Sequence, residues 1–198
     1  MTFALRSPRM GLHMKAKVPK ENEQKFRELL LYISEKCATD PKFGATKLNK
    51  ILFYSDFFAY ANLGKPITGF EYQKLPNGPA PRRLLPVKKK MLRAGEIVEQ
   101  EVPLLGGKIQ KRMVNLRKPD LSCFSADDIA LVDELIEALQ VGTAEAVSEL
   151  SHREVGWIAA SDGETIPYST IFLSKEPLSP DDAERGKELA VKYGVPCS

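Results

Sequence analysis

Cysteine is scarce in this chain: Cys37, Cys123 and Cys197 are three, widely spaced and without a C-x-x-C pair. An odd and scattered set builds neither a disulfide framework nor a zinc-binding pair, and it fits a reducing cytoplasm. Histidine is scarcer still. His13 and His152 lie far apart, so no metal site is expected. Long apolar runs are missing too: the longest, 51–63, contains Asp56 and Asn62 and falls short of the ~18–20 residues that span a bilayer, so no membrane role follows. Near the start, Phe3-Ala4-Leu5 and Met10-Gly11-Leu12 are too short for a signal-peptide core. Phosphate-cradling glycine loops exist only as fragments, at Phe43-Gly44-Ala45-Thr46-Lys47 and Gly106-Gly107-Lys108, and lack the defining spacing. No nucleophile, base and orienting group stand in a recognisable pattern, so neither a catalytic residue nor a cofactor is expected.

What is present suits one soluble core. The chain has 198 residues, of which 43% are apolar and 28% charged, both near the globular average. Its net charge of +3 conceals a division at Pro119: the residues up to that point carry +14 and those after it −11. Residues 1–20 hold five basic residues and no acid, and read as a flexible basic arm.

Periodicity supplies the elements. Phe26, Leu29, Leu30, Ile33 and Cys37 recur at one-face helical spacing, predicting a helix over 21–37 that Asp40-Pro41 and Gly44 break. Thr46 is placed to cap the next helix, 47–62, which is apolar nearly all round and therefore belongs in the middle of a core. Gly64 and Pro66 end it. A loop-rich stretch follows, with a short strand over 70–73, then a third helix from Pro81 to about Ala94 that either bends at Pro86 or begins there. The runs 96–103 and 108–116 read as a β-hairpin. Beyond Pro119 the pattern turns to acidic helices. Ser125 with Asp128 forms a capping box, Thr143 caps a short helix to Leu150, and Ser151 with Glu154 reads as a second box opening 152–160. On that reading His152 is a surface or cap-packing histidine, and Trp157 is either core or a binding anchor. A short strand is predicted within 164–173, and a last charged helix after the linker 177–180. The fold class is therefore α+β and predominantly helical, with a small hairpin.

Two features bear on function. Asp56, set in the apolar helix, needs a partner, and Lys50 is the candidate for an ion pair. From 82 to 118 basic residues dominate, with Arg82, Arg83, Lys88, Lys89, Lys90, Lys111 and Arg112 as the candidate basic face. Helix, helix, basic helix and hairpin is the order of a winged helix, so DNA is one possible partner of that face. An acidic protein is another, and the acidic C-terminal third folding back over it is a third.

Lys47-Leu48-Asn49-Lys50-Ile51-Leu52-Phe53-Tyr54-Ser55-Asp56-Phe57, then Gly64-Lys65-Pro66-Ile67-Thr68-Gly69 and Asn77-Gly78-Pro79, resembles the opening of the Panacea domain, also called the SocA-like or phage-associated domain. Ser148-Glu149-Leu150-Ser151-His152, Trp157 and Ile166-Pro167-Tyr168 are similar to the way such domains close, so the resemblance covers about residues 21–173. It implies a domain over 21–175, with 176–198 an appended linker and charged helix. It further implies a cytoplasmic, non-enzymatic antitoxin that neutralises a toxin encoded beside it by direct contact. Some such domains act as adaptors presenting the toxin to an ATP-dependent protease. Lys47, Lys50, Tyr54 and Asp56 match the family's first signature and Gly78 and Pro79 its second; with Trp157 they are the candidate site residues.

Overall fold

A computed structural model describes residues 20–103, 107, 109–173 and 180–193. The basic arm up to residue 19, the hairpin tip at 104–106 and 108, the linker 174–179 and Cys197 lie outside the described residues.

Helix α1 (Glu23–Lys36) is capped by Asn22, whose side chain accepts from the Lys25 N–H at 3.0 Å. It buries the expected Phe26, Leu29, Leu30 and Ile33, and Leu31 and Tyr32 besides, because it is covered on more than one side. Helix α2 (Ala45–Leu63) is the centre of the molecule. Almost every residue from Lys47 to Tyr60 is buried, as an apolar pattern on all faces requires, and Gly64 ends it in a left-handed conformation. The expected Thr46 cap is corrected: Gly44 holds the N-cap position without a side-chain bond, and Thr46 lies inside the first turn. The chain entering α2 is instead fixed by Asp40, whose side chain accepts from the Lys42 N–H at 2.8 Å and whose carbonyl accepts from the Phe43 N–H at 3.1 Å.

Beyond α2, β1 (Tyr72–Gln73) pairs antiparallel with β2 (Ala80–Pro81) on one side and with β5 (Thr165–Ile166) on the other. This small sheet joins the loop after α2 to the far end of the chain. Helix α3 (Leu84–Arg93) begins neither at Pro81, which lies in β2, nor at Pro86, but two residues before Pro86. Pro86 thus falls in the first turn, where a missing N–H leaves no hydrogen bond unmade. Strands β3 (Ile97–Pro103) and β4 (Ile109–Asn115) form the expected hairpin, in register from Ile97 opposite Asn115 to Pro103 opposite Ile109.

Helix α4 (Ala126–Gln140) carries the predicted capping box, with Ser125 accepting from the Asp128 N–H at 3.1 Å and Asp128 accepting from the Ser125 N–H at 3.0 Å. Its stripe of Val132, Leu135, Ile136 and Leu139 packs against α2. Thr143 caps α5 (Ala144–Ser151) as expected. The second box is corrected. Ser151 is the last residue of α5 and its hydroxyl donates to the Ser148 carbonyl at 2.7 Å, while Glu154 stands before the short α6 (Val155–Ala159) without capping it. The strand expected within 164–173 shrinks to β5, and Tyr168–Phe172 forms a 3-10 turn, which lets Tyr168 reach the core and donate to the Phe70 carbonyl at 2.5 Å. Helix α7 (Pro180–Tyr193) completes the described chain.

The fold is α+β and predominantly helical. Helices α1, α4 and α5, strand β4 and the small sheet all pack on α2. Aromatic rings fill the joints: Phe26 stacks on Phe70 at 3.8 Å, and Phe53, Phe57, Tyr72 and Tyr168 form one cluster. No helix among the described residues is long and apolar enough to cross a membrane.

Candidate functional site

The polar residues of α2 explain how an all-apolar helix tolerates charge. Lys47 is 1% exposed and donates to Asp40 at 2.8 Å and to the Gln140 carbonyl at 3.1 Å. A buried pair of this kind offsets its desolvation only when the remaining hydrogen-bonding capacity is also used, and here the carbonyl at the end of α4 takes a second ammonium proton. Lys50, one turn further, was expected to pair with Asp56. It does not. Its ammonium donates instead to the backbone carbonyls of Asn77 at 2.5 Å and Pro79 at 3.4 Å. The two residues project from different sides of α2, so the sequence proximity that suggested a pair is misleading. With no carboxylate beside it, burial alone acts on Lys50 and pushes its pKa down to about 8.

Asp56 is fully buried and accepts three hydrogen bonds, from the Thr68 N–H at 2.6 Å, the Thr68 hydroxyl at 2.5 Å and the Tyr72 hydroxyl at 2.9 Å. Burial raises its pKa and these donors work against the rise. The carboxylate thereby fixes the loop after α2 to the start of β1.

Gly78 has φ +96°, and a Cβ there would fall inside contact distance of Lys50 Nζ and 2.6 Å from Ser151 Oγ. The turn at 77–79 therefore lies directly on α2 and the end of α5. Ser148 fastens it from the other side, donating to the Asn77 carbonyl at 2.9 Å. The second signature, Gly78 and Pro79, is thus the lid over the Lys50 of the first, and both meet the closing segment 148–151.

Tyr54 donates to Glu154 at 3.1 Å across the gap between α2 and α6. Burial holds the Glu154 carboxyl above the usual range and the Tyr54 hydroxyl lowers it only in part. Trp157 is half-buried: its ring stacks on His152 at 4.2 Å, Lys74 Nζ sits 4.4 Å from the ring centre, and its N–H donates to the Leu75 carbonyl at 3.2 Å. His152 ends α5 rather than opening the next helix, and burial followed by the nearby Lys50 lowers its pKa. The structure therefore brings Lys50, Gly78, Pro79 and Tyr54 together with Ser151, Glu154 and Trp157 around one end of α5. Lys47 and Asp56 lie in separate bonds. No group of three metal-ligating side chains exists among the described residues.

The basic face is differently placed. Arg83 pairs with Glu21 and Glu23, Lys90 with Glu23, Lys88 with Glu99, Lys111 with Glu101 and Arg82 with Glu71. Arg112 turns inward to the carbonyls of Phe43 and Asp40, holding the hairpin to the entry of α2. Only Lys89 of that set has no partner among the described residues.

The model of the SocA-like antitoxin family, Panacea domain, matches residues 48–158, over half of the chain. The chain belongs to this family. The match runs from the second residue of the first signature through Trp157, so it takes in α2, the 77–79 turn, α3, the hairpin, α4 and α5, and ends in α6. Within the Panacea domain the residues that looked chemical are those that close the fold on itself. The partners Asp40 and Thr68, Ser148 and Glu154 were not singled out as site residues, although a lysine pair in an apolar helix does announce that acceptors must exist nearby. No curated protein and no solved structure matches the chain.

Proposed function

We propose that this chain is an antitoxin that neutralises a toxin encoded beside it through direct protein contact. The observation that carries the reading, together with family membership, is how the reactive-looking groups are used. Lys50, Asp56, Tyr54, Ser151 and the Lys47–Asp40 pair are each committed to bonds inside the core. A protein built that way presents a rigid surface, and recognition is what such a surface does. The domain extends over 21–175, with 176–198 appended, and delivery of the bound toxin to an ATP-dependent protease would use that same surface. The alternative of a DNA-binding regulator draws on the basic 82–118 stretch, whose cations are mostly paired with acids of the same chain, so it has less to recommend it.

Inducing the neighbouring reading frame alone should arrest growth, and co-inducing this chain should restore it. A harmless neighbour, or one that stays toxic beside soluble antitoxin, contradicts the proposal for this pair.

A further inference from the structure

Between α2, α4 and the end of α5 lies a cleft of about 170 Å³. Tyr54 and Phe58 form one wall, Leu131, Leu135 and Leu139 the other, and Leu150 closes one end. Drug-sized ligands need ~300–1,000 Å³, so this space holds one long side chain. Its walls are apolar, yet two carboxylates line it: Glu154 beside Tyr54, and Glu134 on α4. Neither forms an ion pair with a lysine or arginine among the described residues, and the Glu154 carboxylate accepts there from the Tyr54 hydroxyl alone. The buried carboxylates of the fold, Glu28, Asp40, Asp56 and Asp128, each face a cation or several hydrogen-bond donors. An apolar slot with two unneutralised carboxylates matches one side-chain chemistry, an aliphatic stem ending in a cation.

We infer that the cleft between α2, α4 and α5 is the pocket for a lysine or arginine side chain of the protein partner. The inference rests on the antitoxin reading for the identity of that partner, and the chemistry of the pocket stands apart from it. The stem would lie along Phe58, Leu131, Leu135 and Leu150, and the cation would meet Glu154 and Glu134. Glu154 is half-buried, so its bond to the cation would govern affinity, while Glu134, exposed at the rim, would add an attraction that salt screens.

The test uses the full chain with two probes. The first is an acetylated, amidated pentapeptide of alanines with a central lysine, compared with its norleucine counterpart, followed by the methyl NMR signals of Leu131, Leu135, Leu139 and Leu150. The lysine peptide should shift those signals saturably and bind at least tenfold more tightly than the norleucine peptide. Glu154→Gln, which keeps an acceptor for Tyr54, and Glu134→Gln should each remove most of that preference. Equal binding of the two peptides, or no shift from either, overturns the inference. The second probe is the neighbour-encoded protein. If it forms a complex that neither glutamine variant weakens, the inference fails and the antitoxin reading stands. If it forms no complex while the lysine peptide binds as described, the antitoxin reading fails and the pocket stands.

Discussion

Gly78 shows how a single residue can serve two purposes. Its φ of +96° penalises any side chain, and the space a Cβ would need is occupied by Lys50 Nζ and Ser151 Oγ. Gly95 is the natural control, with φ +68° and nothing within 4 Å of a Cβ. Gly95→Ala should therefore cost only the ~1–2 kcal/mol of a left-handed non-glycine residue. Gly78→Ala should cost at least ~1 kcal/mol more, because a core lysine must move or lose its acceptors. Denaturant midpoints of the two variants check this. Lys50 itself sets a pH dependence. Its folded pKa of about 8 lies below the ordinary lysine value of 10.5. Between those values the folded state binds fewer protons than the unfolded state, so unfolding free energy rises with pH across that window and is flat below it. Lys50→Met should lack that rise, and the difference between the two stability-pH curves isolates it. The sequence marked Lys50, Asp56 and Gly78 as noteworthy, but it paired Lys50 with Asp56 wrongly. Spacing within a helix says which residues share a face; it does not say which backbone carbonyl, 27 residues on, will lie above that face.

At the scale of elements, legibility followed local chemistry. The boundaries of α1, α4 and α5 were readable because Ser125, Asp128 and Thr143 cap through bonds to residues three positions away, and because apolar stripes repeat over three or more turns. The hairpin was readable from two β-like runs on either side of a Gly-Gly pair. The starts of α2 and α6 and the extent of β5 were not. Each is decided by a distant partner: Arg112 from β4 anchors the residues before α2, Tyr54 from α2 draws Glu154 away from any capping role, and β1 sets where β5 begins and ends. Ser125→Ala should accordingly destabilise the fold by about 1 kcal/mol, the usual cost of a lost cap. Asp128 also meets Lys25 of α1 at 3.3 Å, so Asp128→Ala should exceed Ser125→Ala in the same unfolding measurement. Equal losses would mean that the contact between α4 and α1 contributes nothing.

Across the whole molecule, the division into +14 and −11 takes on a different meaning once the partners are known. Most acids of the first part are used locally: Glu21, Glu23, Glu28, Glu96, Glu99 and Glu101 face Arg27, Arg83, Lys88, Lys90, Lys111 and Arg117. Lys25 with Asp128 and Lys36 with Asp133 pair across the division. The described residues after Pro119 therefore keep an acidic surplus, and Glu134 and Glu154 of it line the α2, α4 and α5 cleft. Duplex DNA should be released at about 0.15 M salt, since most described cations of the 82–118 stretch face acids of the same chain and screening is strong there; retention above that concentration would restore the regulator alternative. The proposed antitoxin role requires that the chain act by stoichiometric binding. It is tested most directly by titrating the purified neighbour-encoded toxin with purified chain and following toxin activity. Activity should fall in proportion to the chain added, vanish only near a fixed molar ratio, and return with unchanged toxin mass when the complex is dissociated. Complete neutralisation by a hundredth of an equivalent, or a toxin altered in mass, would contradict the account.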